Sequence, residues 1–300
     1  MSAALLVLPD FLLIALGALL ARAFGYGASF WDGAERLVYF VLFPALLFRA
    51  IATAPLALGE AAPLVATGIG YTVAGMALSA LARPLFRLEA ATFAAIFQTG
   101  FRYNTYLVLA IAGSVGGADA LALASLLIGV LVPLVNVAAV AMLARGGETR
   151  VLPELARNPL VLATLAGIGW KLGGWPVPAM AARGLDLLGA AALPLGLLAV
   201  GAALRFERNA LPAPALAWFV AVKLAFLPAI ALAFARLAGL GPMETSVALI
   251  QAAVPTATSA YILASRMNGR GAPVALVVSA GTLAAAFSVP AWLAVAGIAR

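Results

Sequence analysis

The sequence predicts an all-α polytopic membrane protein: ten transmembrane helices forming two inverted five-helix repeats, with spans 4 and 9 broken. Three observations point there. First, the chain is 65% hydrophobic and only 10% charged, with a mean hydropathy of +1.11, whereas soluble domains carry about 25% charged residues. Second, most of the charge falls in short breaks between apolar runs of roughly 20 residues, each long enough to cross a bilayer as a helix. Third, the second half of the chain echoes the first.

The apolar segments are roughly 4–22, 35–54, 61–82, 90–112, 120–143, 159–172, 184–204, 213–236, 245–265 and 274–298. The first contains Pro9 and Asp10 with no preceding Lys or Arg, so it reads as a span and not as a cleaved signal. Gly25 and Gly27 precede the second, and Pro55 closes it. Gly116–Gly117 separates spans 4 and 5, Gly173–Gly174 with Pro176 separates spans 6 and 7, and Gly239–Pro242 separates spans 8 and 9. The longest polar break, Arg145–Asn158, divides a first repeat (1–144) from a second (159–300) and is read as a linker, 145–158.

Four matches between the halves keep their order. "LFPALL" (42–47) pairs with "ALPLGLL" (192–198), and "LARPLFRL" (81–88) with "FARLAGL" (234–240). Gln98 pairs with Gln251 and Pro133 with Pro290, so the offsets run 150, 153, 153 and 157. Because each repeat has an odd number of spans, the second must enter from the opposite side. Inverted repeats place a substrate site near the midplane where they meet. Loops after odd-numbered spans hold eleven Lys or Arg residues and the other side five. The positive-inside rule then puts both termini outside and the 145–158 linker in the cytoplasm.

The net charge of +7 is dispersed over many loops and forms no stripe, so nucleic acid is excluded as a partner; the bilayer is the expected one. With no Cys and no His, the chain offers no disulfide, thiol nucleophile, Cys/His zinc site or His-ligated haem. It has no phosphate-binding G-x-x-x-x-G-K-[ST] loop, and no catalytic or metal-binding set emerges, so an enzyme is not expected.

Chemistry is concentrated in spans 4 and 9. Span 9 carries Pro255 in mid-segment, followed by Thr256, Thr258 and Ser259. Proline removes a backbone donor and clashes with the preceding turn, so the helix should open there. Span 4 has Gly100, then Arg102, Asn104 and Thr105 at the equivalent place. Gly100 and Pro255 are the candidate hinges. Two broken helices facing each other would present half-helix N-termini, which attract anions. An arginine near the bilayer centre costs about 2.5–3.5 kcal/mol on insertion scales, so Arg102 should face protein or a wet cavity. Lys223, some ten residues into span 8, is the other intramembrane cation, and the acids read as lying in loops or near span ends. Arg102, Asn104, Thr105, Thr256, Thr258 and Lys223 are therefore the candidate ligand-binding residues. Arginine can grip a carboxylate in bidentate fashion.

These residues resemble a known family. "IQAAVPTATSAYILASRMNGRGAPVALVVSAGT" (250–282), "LVYFVLFPALLFRAIATAP" (37–55), "FRYNTYLVLA" (101–110) and "NPLVLATLAG" (158–167) are similar to segments of the auxin efflux carriers. That family includes bacterial organic-acid carriers and the plant PIN-FORMED exporters. The resemblance implies a fold like that of the bile-acid/sodium symporters, with the broken spans 4 and 9 crossing, a scaffold of spans 1, 2, 6 and 7, often dimeric, and a moving domain of spans 3–5 and 8–10. It puts substrate beside Asn104, Thr105, Pro255 and Thr256. Plant exporters have a proline before the span 4 asparagine where this chain has Arg102–Tyr103, which predicts a milder break in span 4 and a smaller, more strongly anionic substrate than auxin.

The expected function is a secondary transporter of a small organic anion in the bacterial inner membrane, working by elevator-type alternating access, in the direction of export. No cofactor is expected, although Na⁺ or H⁺ coupling would be needed for uptake. Alternatives are a sodium-coupled symporter of bile-acid type and a non-transporting membrane receptor.

Overall fold

A computed structural model describes residues 3–53, 61–144, 158–205, 210–268 and 270–298. The regular elements among them are helical. Six helical runs are long and apolar enough to cross a membrane: 5–23, 62–86, 90–143, 179–202, 213–237 and 271–295. The 145–158 linker lies outside the described residues except for Asn158.

Helix α1 spans Ala3–Ala23. Helix α2 (Ala28–Leu37) runs through a π turn, Val38–Leu42, into α3 (Phe43–Ala52). Helix α4 (Ala62–Phe86) precedes α5 (Ala90–Ile96) and α6 (Thr105–Leu143). Then come α7 (Pro159–Leu172), α8 (Ala179–Ala202) and α9 (Ala213–Ala221). A second π turn, Val222–Phe226, joins α9 to α10 (Leu227–Leu237). The chain closes with α11 (Pro242–Ala253), α12 (Ser259–Asn268) and α13 (Gly271–Val295).

The helix punctuation has local causes. Inside α6 the backbone leaves helical geometry at Gly116 and at Gly117, where φ is +60°. Only glycine adopts that φ freely, so the chain turns at the expected place between segments 4 and 5. Each π turn lies just ahead of a proline, Pro44 or Pro228. A proline ring clashes with the carbonyl four residues earlier and leaves it without its helical donor, and an added residue in the turn relieves that crowding. The carbonyl concerned at Pro228 is that of Leu224, and the Trp292 indole N–H from α13 bonds to it at 2.8 Å. Asn158 starts α7 by accepting the N–H groups of Leu160 (3.0 Å) and Val161 (3.4 Å), with Pro159 in the first turn.

Helices α1 and α8 pack along each other, and α3 packs against α7 and α8. A second group brings α4, α6, α10 and α11 together. Contact between α1 and α8 depends on small residues. A Cβ on Gly17 would strike the backbone of Leu198, and one on Gly201 the backbone of Ile14. Such close backbone approach is how apolar helices gain attraction where lipid is as apolar as leucine. The opposite side of α1 leaves Leu5, Leu8, Leu12, Leu16 and Leu19 exposed at helical spacing, as a lipid-facing stripe should be.

Gly201→Leu should therefore prevent α1 and α8 from docking, because its neighbour is backbone and cannot step aside. The expected outcome is loss of the monodisperse peak on size-exclusion chromatography. Gly169→Ala, in a helix where an added Cβ meets nothing within 4 Å, should leave both elution and melting temperature unchanged.

Candidate functional site at two facing helix breaks

The first break begins where α5 tightens into a 3₁₀ turn, Phe97–Gly100. Residues 101–104 are non-helical, and α6 starts at Thr105. The 3₁₀ end is closed by the N–H of Arg102, which donates to the Gln98 carbonyl at 2.9 Å. Asn104 then caps the new helix, its Oδ1 accepting from Tyr106 (3.0 Å) and Leu107 (3.3 Å). The expectation of a milder break in span 4 is corrected here: the helix stops and restarts completely. An asparagine cap achieves this without proline because it offers the freed N–H groups a side-chain acceptor. Gly100 is required by proximity, since a Cβ there would strike the Ser79 hydroxyl of α4.

The second break follows Ala253. Val254 is extended, with φ −67° and ψ +150°, as a residue before proline prefers. Helix α12 resumes at Ser259. The two breaks face and satisfy each other. The N–H of Asn104 donates to the Pro255 carbonyl at 2.8 Å. The Thr256 hydroxyl donates to the Thr99 carbonyl at 2.5 Å, and the Gln98 amide to the Ala260 carbonyl at 3.2 Å. Unpaired backbone groups in an apolar interior cost several kcal/mol each, so irregular chain persists there only with such partners.

Arg102 lies in this junction with 9% of its surface exposed. Its guanidinium donates to Gln98 Oε1 (2.8 Å), Asn136 Oδ1 (2.9 Å) and Ser259 Oγ (3.4 Å). All three acceptors are neutral. Among the described residues, ion pairs join Arg49 to Asp186 and Arg270 to Glu89, and none reaches Arg102. The phenol of Tyr39, from the π turn after α2, lies beside it. The Asn104 side chain uses its oxygen as the helix cap, while its Nδ2 donor is buried without a protein partner.

The structure thus brings Gly100, Arg102, Asn104, Thr105, Pro255, Thr256 and Thr258 to one junction. Thr105 opens α6, and Thr258 donates to Glu35 Oε1 of α2 at 3.2 Å. Through that contact Glu35, at the start of segment 35–54, reaches the second break. Lys223 and Arg102 share no hydrogen-bond partner. Its ammonium donates to the carbonyls of Ala252 (2.6 Å) and Gln251 (3.5 Å) at the end of α11. Sequence reasoning passed over Asn136, Ser259, Tyr39 and Glu35 as site residues. Asn136 was detectable as a lone amide in an apolar run, whereas Glu35 gave no sign, because its partner lies 223 positions away.

Residues 148–293 match a family of sequences described as membrane transport protein. The chain is 28% identical over 280 residues to a protein of Rhizobium meliloti (strain 1021) named "Putative malonate transporter", covering 86% of this chain and 84% of that one. Both matches bear out the resemblance to the auxin efflux carriers.

Thr256→Val should leave the buried Thr99 carbonyl without its donor. A lost partner of this kind costs about 1–3 kcal/mol, so the melting temperature in detergent should fall by a few degrees. Ser288→Ala, which removes a buried hydroxyl that has no partner, should leave it unchanged. A double-mutant cycle on Glu35→Ala and Thr258→Ala should show coupling between the two side chains, with the paired variant less destabilised than the sum of the singles.

Proposed function

We propose that the chain, nearly half of which matches a family described as membrane transport protein, is a multi-pass secondary carrier of a small organic anion and not an enzyme. The observation that carries this reading is the guanidinium of Arg102, buried at the junction of two helix breaks and surrounded by neutral acceptors only. A buried cation without a counterion favours binding of an anion, and a carboxylate matches its forked donors. The unpartnered Asn104 amide supplies a further donor at the same place. Thr105, Thr256 and Thr258 shape the remainder of the site.

In this reading ten spans form two inverted repeats, and the carrier alternates by moving spans 3–5 and 8–10 against a scaffold of spans 1, 2, 6 and 7. Helices α1, α3, α7 and α8 pack on one another and so do α4, α6, α10 and α11, with the two groups meeting along α6, a grouping in keeping with that division. Scaffold spans pair two copies into a homodimer. The membrane is the bacterial inner membrane, with both termini outside. An inside-negative potential contributes about 2.3 kcal/mol per unit charge per 100 mV, which favours export of an anion without a coupled ion. The named relative makes malonate the first substrate to try, with lactate and malate beside it.

Flux of these acids into proteoliposomes under an imposed potential tests the proposal. Wild-type protein should carry at least one of them, with flux that rises with the potential in the direction expected for net negative charge. Losing one partner of a buried charged contact costs about 2–5 kcal/mol, so Arg102→Gln should lower flux by roughly thirty-fold or more. Arg49→Gln, at the half-exposed pair with Asp186, should leave it unchanged. Equal flux in wild type and Arg102→Gln would remove Arg102 from the site.

A further inference from the structure

The second buried cation is doing something the anion site does not explain. Lys223 is 3% exposed and lies in the π turn ahead of Pro228. The carbonyls it bonds belong to Gln251 and Ala252, the last turn of α11. In an unbroken helix their donors would be the N–H groups of residues 255 and 256. Residue 255 is proline and has no N–H. Residue 256 has left the helix. The break therefore creates a pair of freed carbonyls at the negative end of a helix dipole, on the fully buried residues Gln251 and Ala252. Oxygen atoms so arranged suit a hard cation. No ion pair among the described residues involves Lys223, so its charge is balanced there by carbonyl dipoles, as that of a bound metal ion would be.

We propose that Lys223 is a tethered monovalent cation, occupying by covalent attachment the place that a free Na⁺ would otherwise fill at this break. The carrier then holds its broken span 9 together, and moves its substrate, without Na⁺. This rests on the carrier reading only for its transport arm; the folding arm stands without it. It also assigns the two intramembrane cations separate tasks. Arg102 meets the travelling anion, and Lys223 neutralises a fixed negative dipole.

Melting temperatures of the full-length protein in detergent, in NaCl and in choline chloride at equal ionic strength, test the folding arm. Wild type should melt at the same temperature in both salts. Lys223→Ala, which frees the carbonyls and leaves room beside them, should melt several degrees lower in choline, and Na⁺ should restore much of the loss along a saturable curve. Lys223→Met, which fills the space with an uncharged chain, should be destabilised alike in both salts. A saturable rise of the wild-type melting temperature with Na⁺ would overturn the proposal. So would an equal loss for Lys223→Ala in the two salts, which would make the lysine a hydrogen-bonding prop only. Should Lys223→Ala fail to fold, the wild-type comparison and flux in Na⁺-free proteoliposomes still decide. Carboxylate flux that requires Na⁺ overturns the tethered cation while leaving the carrier intact. Absence of flux in every salt overturns the carrier reading while leaving the melting comparison valid.

Discussion

Everything in this structure depends on how two interrupted helices satisfy their own backbone. An apolar chain that breaks a helix exposes N–H and C=O groups to surroundings that cannot solvate them. Here each break supplies the other: Asn104 to Pro255, Thr256 to Thr99, Gln98 to Ala260. Lys223 adds a side-chain donor from another helix, bonding to the Ala252 carbonyl ahead of the second break. The junction is therefore a set of hydrogen bonds that spans both halves of the chain and ties each break to the other.

Two donor groups stand out among those the junction leaves short of a partner. Arg102 has hydrogen-bond acceptors but no opposing charge, and Asn104 keeps one buried donor without a partner. Both are costs in a folded apolar protein, and both would be relieved by the proposed carboxylate. In the proposed reading an anion would bind through what the fold left unsatisfied, and the energy of doing so would be available to shift the junction between arrangements. Glu35 adds a contact across the same junction, from α2 to Thr258, so any movement of span 9 against span 2 must break it.

Much of this could be read in the sequence because the rules involved are local. Pro255 marks its break by chemistry alone, and Gly116–Gly117 marks the turn between segments 4 and 5 for the same reason. Arg102 stood out because a cation is costly in an apolar run. The complete interruption of span 4 was harder to see, since it rests on an asparagine cap and on bonds to residues more than 150 positions away. The π turns before Pro44 and Pro228 were likewise hidden, because proline announces a disturbed helix without saying how it is relieved. The task of Lys223 was beyond sequence reasoning altogether: it follows from which carbonyls its ammonium reaches, and only the folded chain shows that.

The central claim is that an organic anion neutralises Arg102 at the paired breaks. A structure of the protein bound to malonate, or to whichever acid it carries, tests this most directly. The account predicts a carboxylate within hydrogen-bonding distance of the Arg102 guanidinium, with at least one of the bonds to Gln98, Asn136 or Ser259 given up to make room. A ligand bound elsewhere, with the guanidinium still on its three neutral acceptors, would contradict it.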